Sequence, residues 1–130
     1  MIYEFGIWHT NREFLKTPPN MWTQEEGGWG WGNNELQYYT SENRNAQVKD
    51  GMLIIESRIE NTKTATTTTP PRVYTSARLV SKRAFKYGIF EMRARLPNGR
   101  GSWPAFWLLS ANRPVNWPSD GEIDILGFFN

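Results

Sequence analysis

The sequence predicts an all-β sandwich, and three observations carry that expectation. Short runs either alternate apolar with polar residues or are continuously apolar, Gly, Pro and Asn turns separate them, and helical periodicity is almost absent. Short strands recurring at this spacing are the pattern of two packed antiparallel sheets. No internal repeat breaks the chain, and 130 residues fit one domain.

Taken in order, Asp50-Gly51 is a turn signal that opens the strand expected over residues 52–59. Its run Met52-Leu53-Ile54-Ile55 is apolar on both faces, which predicts burial on both sides. Residues 62–71, with Thr67-Thr68-Thr69 and Pro70-Pro71, read as a mobile surface loop. Residues 74–81 alternate, with Tyr74, Ser76 and Arg78 on one face and Ala77 and Leu79 on the other. Residues 87–96 give the clearest alternation: Phe90, Met92, Ala94 and Leu96 face one way, Glu91, Arg93 and Arg95 the other. Pro97-Asn98-Gly99 ends that strand. Residues 105–109 form a further apolar strand, residues 112–118 a loop, and residues 122–126 the last strand.

Composition narrows the function classes. The net charge is +2, and Lys and Arg are interspersed with Asp and Glu, so the basic stripe of a nucleic-acid binder is missing. With no Cys there are no disulfides and no thiolate metal sites. The start Met1-Ile2-Tyr3-Glu4-Phe5 has neither a basic n-region nor an apolar run, so no signal peptide is visible. No stretch is apolar for long enough to cross a bilayer, and no membrane partner is expected. His9 is the sole histidine, which argues against Ser-His catalysis and multi-histidine metal sites. Aromatic residues make up 15% of the chain and include seven Trp, a composition suited to a ring-stacking cleft or to a β core.

Three segments carry candidate chemistry. Residues 28–39, Gly-Trp-Gly-Trp-Gly-Asn-Asn-Glu-Leu-Gln-Tyr-Tyr, combine glycines that let backbone approach a ligand, amides that bond hydroxyls, and indoles that stack on rings. A tight structural turn fits the same residues. In residues 101–107, Trp103, Ala105 and Trp107 share a strand face, so both indoles are open either to a cleft or to the core. The third is the strand Gly121-Glu122-Ile123-Asp124-Ile125-Leu126-Gly127. Glu122 and Asp124 point the same way, and a one-residue bulge near Leu126 would bring position 127 to that face. Two carboxyls ~5 Å apart are the arrangement of a retaining glycosidase, and here Glu122 has no such partner. Arg78 offers a fixed fork of donors on a strand face, for a hydroxyl, a carboxylate or solvent.

These segments, in this order, resemble the laminarinase-like, endo-β-1,3-glucanase branch of glycoside hydrolase family 16. The resemblance rests on Trp22, the run ending at Thr40, Tyr74-Thr75-Ser76-Ala77-Arg78-Leu79, Tyr87-Gly88, Arg93-Ala94-Arg95-Leu96-Pro97, residues 101–107, and Trp117-Pro118 leading into residues 121–126. It implies a concanavalin A-like β-jelly-roll whose concave sheet binds β-1,3- or mixed β-1,3/1,4-glucan polysaccharide, outside the cell. Agar- or carrageenan-type galactans share the acidic motif, but Asn33-Asn34-Glu35-Leu36-Gln37 favours glucan. The family strand reads Glu-x-Asp-x-x-Glu. Glu122 matches its nucleophile, Asp124 the residue that hydrogen-bonds and tunes that nucleophile, and the acid/base position falls on Gly127. Asn34, Arg78, Trp103, Trp107 and Trp117 match substrate-subsite positions. No metal or other cofactor is implied, because two carboxylates suffice.

Sandwiches of this kind often run to ~200–250 residues, and this chain ends four residues after Leu126. The expectation is therefore the N-terminal half of one catalytic domain, truncated, with residues 62–71 as its mobile loop. Such a half would leave unpaired edges and apolar faces, and would be unstable or aggregate. Gly127 has two readings. One is read-through into an intron, since Glu and Gly codons both begin with G, and the other is a non-catalytic β-glucan-binding module.

Overall fold

The computed structural model describes residues 21–60, 73–112 and 114–127. The described residues are all-β, with nine short strands and a single turn of 3-10 helix at Gly30–Gly32. Strand β1 (Trp22–Glu25) runs antiparallel to β7 (Arg78–Ser81). Strand β2 (Gln37–Tyr39) runs parallel to β6 (Tyr74–Ser76), which pairs antiparallel on its other side with β5 (Arg58–Ile59). Strands β3 (Ala46–Lys49) and β4 (Met52–Ile55) form a hairpin, as do β8 (Ala105–Leu109) and β9 (Glu122–Gly127) over a longer connection. Reciprocal hydrogen bonds between Gly27 and Tyr39, at 3.2 and 2.8 Å, tie the end of β1 to β2.

Local sequence accounts for the tightest of these units. Lys49 lies opposite Met52, so Asp50-Gly51 is a two-residue hairpin loop. Both residues are left-handed, at φ 51° and 77°, which is what the right-handed twist of the flanking strands demands. Asp tolerates that region and Gly has no Cβ to oppose it.

The core is small and mixed. Tyr39, Ala46, Ile55 and Ala77 are its buried apolar residues, with Trp31, Leu53, Leu79, Trp103 and Ala105 packed against them. Beside it runs a buried polar chain. Thr40 Oγ1 donates to Asn45 Oδ1 at 2.6 Å, and Asn45 Nδ2 donates to Thr75 Oγ1 and to the Glu56 carbonyl, both at 3.0 Å. Thr75 Oγ1 in turn donates to Glu60 Oε1 at 2.6 Å, and Arg44 Nη1 reaches Glu60 Oε2 at 3.0 Å. The hydrogen bond from Arg44 to Glu42, with Glu60 adding its charge, raises the pKa of an already strongly basic guanidinium. Because Thr40, Asn45, Thr75 and Glu60 all find partners in it, the network stabilises where isolated buried polar groups would cost.

Three strand expectations change. Residues 52–55 form a strand, but only Ile55 is buried, because β3 is the one strand that pairs with β4 among the described residues. Residues 74–81 are two strands rather than one. The chain changes neighbours at the buried Ala77, so Tyr74–Ser76 joins β2 and Arg78–Ser81 joins β1. Residues 87–96 keep their alternation, with Phe90, Met92, Ala94 and Leu96 half-buried and Glu91, Arg93 and Arg95 exposed, yet no strand ladder is assigned to them among the described residues. Met92, Ala94 and Leu96 instead line an open apolar hollow with Phe106, Ile125 and Leu126. The loop expected at residues 62–71, the N-terminal segment and His9 lie outside the described residues.

Candidate active site

The β8–β9 ladder sets the geometry. Leu109 lies opposite Glu122, Leu108 opposite Ile123 and Trp107 opposite Asp124. The register then shifts, so that Phe106 faces Leu126 and Ala105 faces Gly127. Ile125 has no residue opposite it, which makes it the extra residue of a one-residue bulge. Directly opposed residues share a face of the sheet. Glu122, Asp124 and Gly127 therefore stand with Leu109, Trp107 and Ala105 on one face, while Leu126 stands with Phe106 on the other, at the apolar hollow. The bulge conditionally expected from the sequence is present, one residue earlier than Leu126.

On that face Glu122 is exposed, and its Oε2 accepts a 3.0 Å hydrogen bond from Trp117 Nε1. Asp124 is also exposed. A Cβ added at Gly127 would meet nothing within 4 Å, so the position is open.

Across from Asp124 on the neighbouring strand, Trp107 connects the acidic face to Arg78. The Arg78 guanidinium lies between two indoles, 4.7 Å from the Trp31 ring centroid and 4.9 Å from that of Trp107. Its Nε is 2.6 Å from Glu25 Oε2, and Glu25 is its cross-strand partner in the β1–β7 ladder. The ion pair and the two ring faces fix the plane of the guanidinium, which a single exposed salt bridge would not do.

The loop before β2 holds Trp31 in place. Trp31 donates its indole N–H to the Gly27 carbonyl at 3.3 Å, and its ring lies 5.1 Å from that of Tyr39. Asn34 follows, exposed and left-handed at φ 56°. Behind it Glu35 is buried and accepts hydrogen bonds from Tyr39 Oη at 3.2 Å, Asn33 Nδ2 at 3.4 Å and Gln37 Nε2. Its own N–H bonds the Gly30 carbonyl at 3.1 Å. Glu35 thus anchors the turn that carries Trp31 and Asn34.

Of the residues singled out from sequence, the fold brings Glu122, Asp124 and Trp107 to one face, with Trp117 bonded to Glu122 and Arg78 stacked on Trp107. Trp103 precedes β8 and is half-buried against the core cluster. Asn34 sits on the turn beside Trp31. Glu25, Trp31 and Glu35 were not singled out. Trp31 and Glu35 stood within the motif already noted, whereas nothing local in the sequence pairs Glu25 with Arg78. Among the described residues no group of three or more His, Asp or Glu is placed to hold a metal ion, and no helix is long and apolar enough to cross a membrane.

Known proteins bear on this geometry. Residues 32–130 match the family model of the XgeA-like, catalytic GH16 domain. The chain is 46% identical over 127 residues to a β-glucanase of Rhodothermus marinus, covering 92% of this chain and 42% of that protein. It is 48% identical over 107 residues to a glucan endo-1,3-β-glucosidase of Cryptopygus antarcticus, covering 80% of this chain and 38% of that protein. A β-1,3-glucan-binding protein of Penaeus monodon is 54% identical over 55 residues, 40% of this chain and 15% of that protein. The chain spans about two fifths of the length of the first two relatives. No solved structure matches it significantly.

Proposed function

We propose that this chain, which belongs to glycoside hydrolase family 16, carries the nucleophile side of a retaining β-glucan hydrolase and lacks its proton donor. The substrate is β-1,3- or mixed β-1,3/1,4-glucan. The observation that carries the reading is the bulge at Ile125, which turns position 127, and not 126, to the face of Glu122 and Asp124.

In the retaining reaction the Glu122 carboxylate attacks the anomeric carbon. The glycosidic C–O bond breaks as an acid on the opposite side protonates the leaving oxygen. The same group, now a base, takes a proton from water, whose oxygen displaces Glu122 and restores it. Trp117 holds Glu122 through its indole N–H, and Asp124 shares the face. Gly127 has no proton to give. Arg78, Asn34, Trp107 and Trp117, with Trp103 nearer the core, supply hydroxyl-binding and ring-stacking groups. Polymeric glucan is met outside the cell, and that is where this activity would operate.

The test replaces the missing acid. In samples that both show a cooperative thermal unfolding transition, Gly127→Glu is expected to raise reducing-sugar release from laminarin by about 10²–10⁴-fold over the unsubstituted chain. Equal rates, or vigorous hydrolysis by the unsubstituted chain, would overturn the assignment. A second reading, a glucan-binding module without catalysis, is favoured by Gly127 itself and by the similarity to the Penaeus monodon protein. Retention of the unsubstituted chain on insoluble β-1,3-glucan without sugar release supports that reading.

A further inference from the structure

Trp29 is the most exposed tryptophan among the described residues, with 75% of its surface open. Its ring nonetheless has neighbours on the protein. A Cβ added at Gly27, which adopts φ +145°, would lie 2.9 Å from the Trp29 ring and 3.4 Å from the Trp31 ring. Both indoles therefore lie near the bare backbone of Gly27, and a side chain there would collide with the Trp29 ring. The Trp29 ring also lies 6.4 Å from that of Tyr38, tilted by 54°.

Tyr38 and Tyr39 alternate along β2, so they point to opposite faces. Trp31 packs on Tyr39 and Trp29 on Tyr38. The aromatic run that leaves the acidic strand as Trp107, Arg78 and Trp31 thus continues over Gly27 and turns the rim of β2 at Trp29. An exposed indole face gains by being covered with the flat apolar face of a ring, and its neighbours at Gly27 and Tyr38 limit the positions it can take beforehand. The amides of Asn33 and Asn34 follow on the same loop, and amides match hydroxyl groups rather than an apolar protein surface.

We propose that Trp29 is an outer platform for the same glucan chain, stacking on a glucosyl ring that lies beyond Trp31, so that it sets a preference for longer oligosaccharides. This rests on the glucan reading given above. It assigns binding to a residue outside the acidic face and makes chain length the quantity that reports it.

Calorimetric titration of the full chain with laminaribiose and laminarihexaose tests the proposal on the unsubstituted protein, Trp29→Ala and Trp29→Phe. Trp29→Ala is expected to weaken hexaose binding about three- to tenfold while leaving biose binding and the thermal unfolding midpoint unchanged. Trp29→Phe, which keeps a ring over Gly27, is expected to recover most of the hexaose affinity. Unchanged hexaose affinity in Trp29→Ala, or an equal loss for both lengths, would overturn the platform while leaving the glucan reading standing. Failure of the unsubstituted chain to bind either sugar would overturn the glucan reading, and the platform with it.

Discussion

The indole N–H of Trp117 donates a 3.0 Å hydrogen bond to Oε2 of Glu122, linking the loop before β9 to the first acid of that strand. Glu122 is exposed and otherwise free to rotate, so this contact selects the rotamer in which one carboxylate oxygen is occupied and the other is available. Removing the donor alone separates orientation from stacking. In a Gly127→Glu background, Trp117→Phe is expected to lower kcat on laminarin about tenfold, the scale of one hydrogen bond to a charged group. An unchanged kcat with a raised KM would assign Trp117 to substrate stacking instead.

Arg78 makes its contacts through a plane, not only through a charge. Arg78→Lys keeps the ion pair with Glu25 within reach but loses the flat group held between Trp31 and Trp107. A loss of about 1–2 kcal/mol in unfolding free energy is expected, with a shift in tryptophan fluorescence as the two indoles gain solvent. Glu25→Gln should cost less, because both partners are partly exposed and water screens the pair.

The polar chain beside the core makes Asn45 the most demanding position in it. Asn45 is fully buried and uses its amide three ways, toward Thr40, Thr75 and the Glu56 carbonyl. Asn45→Ala strands those partners, and a destabilisation of about 2–4 kcal/mol is expected. Urea titration reads this as a lower midpoint at constant slope. A change below ~0.5 kcal/mol would mean that water replaces the amide without cost.

How much of this was legible before the fold was known follows from the range of each interaction. The Asp50-Gly51 turn and the face shared by Glu122 and Asp124 depend on residues a few positions apart and could be read directly, whereas β3, which makes that turn a hairpin, was not expected. The alternation of residues 87–96 foretold which side chains are sheltered, but not whether a neighbouring strand would bond their backbone. The break at Ala77 was invisible because its two halves alternate as one strand would. Only the separate partners β1 and β2, far away in sequence, divide them. The Glu25–Arg78 pair was hidden for the same reason, being 53 residues apart and meeting only through the β1–β7 register.

The bulge at Ile125 makes a claim that two single substitutions can separate. Without it, Leu126 would follow Glu122 and Asp124 on the acidic face. With it, Leu126 lies opposite Phe106 beside the hollow formed with Met92, Ala94 and Leu96, and Gly127 takes the acidic face. Gly127→Glu enters open space, so its effect on stability is expected to stay within about 0.5 kcal/mol while glucan hydrolysis appears. Leu126→Glu instead sets an unpaired carboxylate against half-buried apolar side chains, for an expected loss of about 2–3 kcal/mol and no hydrolysis. Parallel measurement of unfolding and of laminarin hydrolysis on the two variants distinguishes the registers. Activity from Leu126→Glu, with none from Gly127→Glu, would mean that β9 runs without its bulge and that the acidic face ends at Leu126.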